Sequence, residues 1–377
     1  MEKKCLSGRQ MIMSGLRIEQ ITFGYILPIF IAFGIVGNII NLTVLLTPSM
    51  RSRSFMLWFL ALCDIVFLFF ITPHSLAQYN VFALNNTFRW FYLNCKIHLI
   101  TFTNWASAAA IWTILFICFE RLLAIRYPLK VHRYTINRNL WRRTLIFLIT
   151  VMTGFLTSYF HFSYTKIAKT FCNGTQFHAY HVAINSEKWP GNRTNPNPKW
   201  LQNYVYWSAK IHELFVIFMP TIIIIFANGL LILTLRSRTA AFAGIKPPGS
   251  ITKAEQNVTY TVCAIVTAFT ITQAPSGFVS LVITNAMVIV GKSLNFVLFC
   301  LSSATFRQRL VAIVKIKPNK RQQWKSSTTY TTTPPKQIKT YREESNTEVE
   351  RPLTGNGFAA RNSERTAENG ELSLAIQ

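Results

Sequence analysis

The sequence predicts an all-α integral membrane protein, a bundle of seven transmembrane helices followed by a short amphipathic helix. Half of the 377 residues are hydrophobic and only 14% are charged, a composition that is rare in a soluble domain of this size. A helix of about 20 apolar residues is long enough to cross a bilayer. Runs of this kind occupy residues 21–46, 55–73, 97–119, 145–162, 204–235, 259–284 and 286–304.

An odd number of spans places the two termini on opposite sides of the membrane. Basic residues after the third and seventh runs compete with those near the N-terminus, and the balance favours an outer N-terminus. We therefore expect an extracellular tail at 1–20 and a membrane domain at 21–305. The apolar spacing after it indicates an amphipathic surface helix at 306–317, and the polar composition beyond it predicts a disordered cytoplasmic tail at 318–377.

Several outer residues are candidates for covalent modification. Sequons for N-glycosylation begin at Asn85, Asn173 and Asn192, all on the side shared with the N-terminus. Cys95 and Cys172 lie in outer segments, an oxidising setting that is compatible with a disulfide between them. Cys5 is left over, and its role is open.

Two partner classes find no support in the sequence. The net charge of +25 suggests nucleic acid, but the basic residues flank membrane spans, where anionic lipid head groups explain them. His178 and His181 have the spacing of one helical face, but a third metal ligand is missing nearby. We expect membrane lipid as a partner, no nucleic acid, no metal and no cofactor.

The single aspartate of the chain, Asp64, lies at the centre of the second apolar run. An ionisable group at this depth is costly, so it is usually paired, faces the interior of a helix bundle and marks a functional site. We therefore expect Asp64 to anchor the interior of the protein.

Short motifs at the ends of the spans distinguish among proteins with seven helices. They are Gly37-Asn38, Leu60-Ala61-Leu62-Cys63-Asp64, and Glu120-Arg121-Leu122 followed by Tyr127-Pro128-Leu129. In this order they resemble the rhodopsin-like (class A) G protein-coupled receptors, along residues 24–317. The stretches 38–47, 271–277 and 295–300 look like invertebrate, including nematode, neuropeptide receptors of the myosuppressin and FMRFamide type.

The resemblance implies a plasma-membrane receptor without catalytic chemistry. It implies that Glu120 and Glu255 hold Arg121 in the inactive state, that opening frees a cleft for a heterotrimeric G protein, and that Leu129 packs on that partner. The activation-switch residues implied are Asp64, Ile111, Glu120, Arg121, Pro220, Glu255, Phe269, Lys292, Asn295 and Phe299. Phosphates on Ser326 to Thr333 are candidate contacts for arrestin, although low complexity without regulation is the alternative.

The resemblance also implies a sodium site at Asp64, and this chain departs from it. The matching partner positions are Ala110, Gly291 and Lys292, with Asn295 retained. We predict that the Lys292 ammonium replaces sodium in an intramembrane pair with Asp64. The alternative is that Lys292 points elsewhere, because the seventh segment is shifted in register.

The ligand candidates follow from the outer halves of the spans. Thr103 stands where a monoamine receptor would carry an aspartate, and Gln273 replaces a usual aromatic residue. Glu213 is the acidic residue expected in the outer pocket, where it could pair with the guanidinium of an Arg-Phe-amide peptide, with Trp105 as an aromatic contact. The alternative is that Lys210 or His212 neutralises Glu213.

The connection between the last two spans is short, with Asn295 only twenty residues after Pro275. We predict a tight turn at residues 282–287, below the other external loops. Two other function classes stay open. A non-signalling receptor-like scaffold fits the short connection. A transporter or channel would use Asp64 and Lys292 as pathway charges, but it would need repeats or broken helices.

Overall fold

The structure is a computed structural model. It describes residues 5–13, 17–48, 55–127, 138–187, 189–191, 193–241, 263–264, 266–268, 270–272, 281–302 and 304–315. The chain divides into two compact units, Met1–Lys317 and Pro318–Gln377. The second unit, and with it the expected disordered tail and arrestin segment, lies outside the described residues.

The first half of the chain is helical. A π-helical turn, Thr22–Ile26, leads into the third helix, and a 3₁₀ turn, Ser158–Phe162, extends the seventh. The helices are α1 (Gly8–Met11), α2 (Arg17–Ile21), α3 (Leu27–Leu45), α4 (Phe55–Leu76), α5 (Asn80–Ala83), α6 (Asn86–Arg126) and α7 (Arg138–Thr157).

The second half begins with an antiparallel hairpin. Its strands are β1 (Tyr164–Phe171) and β2 (Gln176–Ala183), paired from Tyr164 with Ala183 to Phe171 with Gln176. A π-helical turn, Glu213–Phe218, joins the next two helices. The helices are α8 (Lys199–His212), α9 (Met219–Ala241), α10 (Leu281–Ser302) and α11 (Ala304–Lys315).

Within the described residues, five helical stretches are long and apolar enough to cross a membrane. They are Thr22–Leu45, Phe55–Leu76, Asn86–Arg126, Leu140–Phe162 and Lys199–Thr234. The bent pair Ala286–Leu301 and Phe306–Val314 adds a sixth if it is counted as one span. Most of the sixth predicted segment, 259–284, lies outside the described residues, and those described between 263 and 272 are helical.

Two of the sequence predictions concern the start of α10 and the helix that follows it. The prediction of a tight turn at 282–287 is wrong, because these residues lie inside α10. The amphipathic helix expected at 306–317 corresponds to α11, and the bend of 92° between the paired segments turns it away from the axis of α10. The Arg307 guanidinium helps to end α10 by donating to the carbonyl oxygens of Cys300 and Leu301, each at 2.8 Å.

Small residues bring α3 and α10 close together. A Cβ atom added to Gly34 would lie 2.6 Å from Ser293 Oγ, and one added to Gly37 would lie 2.7 Å from Phe296 Cβ. Glycine is required at these points because any side chain would push the helices apart. The residue before Ser293 is Lys292, and it is buried.

Candidate functional site

The centre of the bundle contains a buried ion pair between α4 and α10. Lys292 Nζ lies 2.8 Å from Asp64 Oδ1, and the two side chains are 4% and 1% exposed. This is the pair that the sequence analysis predicts, and the alternative in which Lys292 points elsewhere is not what the structure contains. Each of these buried charges is compensated by the other, so removing one would leave its partner buried without a counter-charge.

Other groups from three helices complete the environment of the pair. The Asn295 side-chain amide donates to Asp64 Oδ2, and Lys292 Nζ lies 4.8 Å from the centroid of the Phe67 ring, within range of a cation–π contact. Asn38 Nδ2 donates to the Lys292 carbonyl oxygen at 3.1 Å. The pair is therefore held by α3, α4 and α10 together.

A small cavity surrounds this pair. Gly291 allows the close approach of the sixth segment, since an added Cβ would lie 2.5 Å from Thr272 Oγ1. The space open to the centre of a water molecule is about 10 Å³, roughly that of one water site. The lining residues are Leu60, Asp64, Ala110, Ile114, Thr272, Gly291, Lys292 and Asn295.

The C-terminal end of α6 carries an ion pair that sequence reasoning missed. The Glu120 carboxylate accepts a hydrogen bond from the Arg142 guanidinium on α7, and the Arg142 side chain is only 6% exposed. The resemblance implies that Glu120 holds its neighbour Arg121, but in the structure Glu120 pairs with a residue on another helix. Glu255 and Leu129 lie outside the described residues.

The apolar residues and the proline among the implied activation-switch residues are only partly described. Ile111, at 6% exposure, and Phe299, at 3%, belong to the same buried apolar cluster. The Phe299 ring lies 5.4 Å from the ring of Phe306 at the start of α11. Pro220 is buried on α9, and Phe269 lies outside the described residues.

The ligand candidates have diverse surroundings. Thr103 is buried and its hydroxyl donates to the Leu99 carbonyl oxygen at 2.8 Å. Trp105 Nε1 donates to the Thr150 carbonyl oxygen at 3.0 Å, and its ring packs against Gly154. Trp105 thus packs between α6 and α7, and its role as a ligand contact stays a prediction. Gln273 lies outside the described residues.

Glu213 lies at the junction of α8 and the following π-helical turn. Lys210 Nζ lies 3.0 Å from Glu213 Oε2, and the two side chains are 55% and 49% exposed. The alternative in which Lys210 neutralises Glu213 is therefore the arrangement in the structure. Solvent screens an exposed pair of this kind, which adds little to stability, so another cation can replace Lys210 as the partner of the Glu213 carboxylate.

The disulfide prediction was wrong in one partner. Cys172 is bonded to Cys5, with the Cα atoms 4.4 Å apart, and the thiol of Cys95 is free. Cys172 and Asn173 form the hairpin turn with φ of 52° and 59°. The bond ties this turn to the N-terminal segment, where Leu6 N also donates to Gln176 Oε1 at 2.7 Å.

A buried arginine, Arg89, joins the start of α6 to the segments that pack around it. Its Nε donates to the Phe177 carbonyl oxygen at 2.6 Å, and its Nη1 donates to the carbonyl oxygens of Met11 and, at 3.1 Å, Ala83. Nη2 lies 2.9 Å from His178 Nδ1. The side chain thus joins α6 to the N-terminal segment, α5 and β2. No sequence pattern singled it out, because an arginine in a helix usually reaches solvent.

The two histidines of β2 are not neighbouring metal ligands. Residues three apart in a strand point to opposite faces, and the described residues contain no group of three or more His, Cys, Asp or Glu side chains that could hold a metal. Burial and the Arg89 guanidinium lower the pKa of His178. Burial, Lys96 and Lys166 lower the pKa of His181 to about 4, against a weak opposing effect of a hydrogen bond with the Leu93 backbone.

The sequons have different environments. Asn85 is exposed and its Oδ1 accepts from Phe88 N at 3.0 Å, which caps the start of α6. Asn173 is exposed in the hairpin turn. Asn192 lies outside the described residues. Glycosylation at all three positions stays a prediction.

Long apolar helices with a buried ion pair between them are typical of a membrane receptor bundle. The chain belongs to the serpentine-type 7TM GPCR chemoreceptor Srw family, which matches residues 25–316. It is thus a multi-pass membrane receptor of the G protein-coupled type and not an enzyme.

Two relatives from Caenorhabditis elegans have names of the same class. The chain is 44% identical over 332 residues to the protein named "Putative G-protein coupled receptor F59B2.13", covering 82% of this chain and 77% of that protein. It is 30% identical over 137 residues to "Probable G-protein coupled receptor B0563.6", covering 35% of this chain and 31% of that protein.

Proposed function

We propose that this receptor lies in the plasma membrane with its N-terminus outside, works by the rhodopsin-like (class A) mechanism and activates a heterotrimeric G protein. The observation that carries the proposal is the buried pair of Asp64 and Lys292, at 2.8 Å. It occupies the position at which the receptors that the sequence resembles bind sodium, and Asn295 is retained beside it. In this receptor a fixed ammonium group takes the place of a mobile ion.

The pair acts as a constraint between α4 and α10 in a two-state protein. An agonist shifts such an equilibrium only by binding one state more tightly than the other. Because Lys292 is covalently part of α10, the counter-charge stays present in both states and does not depend on sodium concentration. Agonist potency should therefore be equal in buffers in which sodium is replaced by N-methylglucamine. A sodium-dependent shift in potency would count against the assignment.

The proposed ligand is an amidated peptide that ends in Arg-Phe-amide. Its guanidinium can displace the Lys210 ammonium from Glu213, because Arg binds a carboxylate through two parallel hydrogen bonds whereas the existing pair is half exposed and weak. Arg121 and Leu129 would contact the G protein, and phosphates on Ser326 to Thr333 would recruit arrestin.

A small chemical signal from the surroundings is the second candidate ligand. It is favoured by the family description, which names these proteins as chemoreceptors. The two candidates differ in what they require of Glu213, since only the peptide proposal needs an acidic group at this position.

The experiment expresses the full chain in cells with a panel of G proteins and applies amidated peptides and small volatile or water-soluble compounds in parallel. For a peptide agonist, Glu213→Lys should lower potency at least tenfold, and the matched control Lys210→Gln should leave it equal or raise it. Unchanged peptide potency in Glu213→Lys would remove the peptide assignment. Responses to small compounds alone would select the chemoreceptor reading. Surface expression without any G protein response would favour a non-signalling scaffold.

A further inference from the structure

A groove opens between the inner ends of α6 and α9. Its volume is about 630 Å³, within the usual range for a bound small molecule. The described residues that line it are Arg126, Tyr127, Leu230, Leu233, Thr234 and Ser237. They divide into two kinds. One is a cationic and hydroxyl-bearing set, and the other is a pair of leucines that are 37% and 62% exposed.

The depth of the groove relates it to a bilayer. Ile114 shares the central cavity with Asp64, and Asp64 lies near the middle of α4. Arg126 follows Ile114 by twelve residues on the same helix, which is about 18 Å along the axis at 1.5 Å per residue. The hydrocarbon layer ends about 15 Å from the midplane and the head-group layer about 20 to 22 Å from it. Arg126 therefore lies at the level of lipid head groups.

The chemistry of the lining changes along this same direction. Leu230 and Leu233 come before Thr234 and Ser237 on α9, so the leucines lie nearer the hydrocarbon and the hydroxyl groups nearer the head groups. A guanidinium binds phosphate oxygens through two parallel hydrogen bonds, and the Ser237 hydroxyl can donate to a remaining oxygen. The Thr234 hydroxyl donates to the Leu230 carbonyl oxygen at 2.7 Å, so it only borders the groove. The exposed leucines supply an apolar wall for an acyl chain.

We propose that this groove is a binding site for an anionic phospholipid of the inner leaflet. The phosphate binds Arg126 and the hydroxyl group of Ser237, and one acyl chain lies against Leu230 and Leu233. The proposal rests on the orientation given under Proposed function but not on the identity of the ligand or G protein. Phosphatidylcholine carries the same phosphate together with a cationic choline group, so it is the net negative charge of the anionic head group that lets Arg126 select it over a zwitterionic lipid.

The test uses the full chain in nanodiscs of phosphatidylcholine that contain a trace of photoreactive phosphatidylserine, with a diazirine near the middle of one acyl chain. After illumination, mass spectrometry locates the label. We expect labelling on the α9 segment that contains Leu230 and Leu233. Unlabelled phosphatidylserine should compete, and phosphatidylcholine should not. Soluble glycerophosphoserine should not compete, because it has no acyl chain to bury.

Arg126→Gln should lower labelling of this segment about fivefold, the factor expected for one basic residue near an anionic surface. Arg309→Gln, on the exposed side of α11, is the matched control and should leave it unchanged. If Arg126→Gln does not yield folded protein, Leu233→Trp, which fills the apolar side, should lower labelling while the charge is kept. Equal labelling by phosphatidylcholine and phosphatidylserine probes, or competition by soluble glycerophosphoserine, would overturn the proposal.

Discussion

Removing one partner of the buried pair should destabilise the receptor far more than removing both. In Lys292→Met the Asp64 carboxylate loses the ammonium at 2.8 Å and keeps the Asn295 amide in a space that admits about one water. Leaving a charge buried without its partner costs about 3 to 5 kcal/mol, whereas replacing both charges with neutral groups of similar volume is often neutral or stabilising. The double variant Asp64→Asn with Lys292→Met should therefore recover most of the loss.

The assay is the free energy of unfolding in mixed micelles, followed by a thiol-reactive dye, since Cys63, Cys118 and Cys263 are buried and become reactive on unfolding. The control is Lys210→Met, which breaks a pair of similar length at 3.0 Å whose side chains are 55% and 49% exposed. Because solvent screens this exposed pair, Lys210→Met should cost far less stability than Lys292→Met. A double variant no more stable than Lys292→Met, or a cost for Lys292→Met equal to that of the control, would refute the reasoning.

Three further outcomes follow from the ends of the bundle. Cys5→Ser should expose the N-terminal segment to protease and make Cys172 reactive to maleimide; continued protection of Cys172 would indicate a different disulfide partner. Glu120→Lys and Arg142→Glu should each raise ligand-independent signalling, and the charge-swapped double variant should lower it again, whereas additive effects would exclude a direct pair. Because the pKa of His181 falls from 6.5 to about 4 on folding, the unfolded state binds more protons between these values. Stability should thus decrease as pH falls from about 6.5 to 4, and less so in His181→Gln.

The spans and the central pair were accessible from sequence for physical reasons. A bilayer demands about 20 apolar residues per helix, so the spans appear as local patterns in the chain. An aspartate in such a run requires a partner at the same depth. The resemblance matches Lys292 to a position beside Asp64, which made it the predicted partner. The side chains that meet were then decided by helix register alone.

The contacts at the ends of the helix bundle could not be predicted from the sequence. The disulfide joins residues 167 positions apart, and Arg89 donates to carbonyl oxygens of the N-terminal segment and the hairpin. Backbone carbonyls are present at every residue, so no residue type marks them as partners. The choice of Cys5 over Cys95 depended on where the hairpin turn lies in space, which the positions of cysteines in the sequence do not reveal.

The sequence by itself determined a helical membrane receptor, the depth of Asp64 and the identity of its counter-ion. Hydrophobic length and the cost of an unpaired buried charge act through composition and helical spacing, which can be read along the chain. Only the tertiary structure decided that Glu120 pairs with Arg142, that Trp105 packs between α6 and α7, and that the N-terminal segment is fixed to the hairpin. These contacts depend on how neighbouring helices are rotated and how the outer segments fold back, and distant parts of the chain set both together.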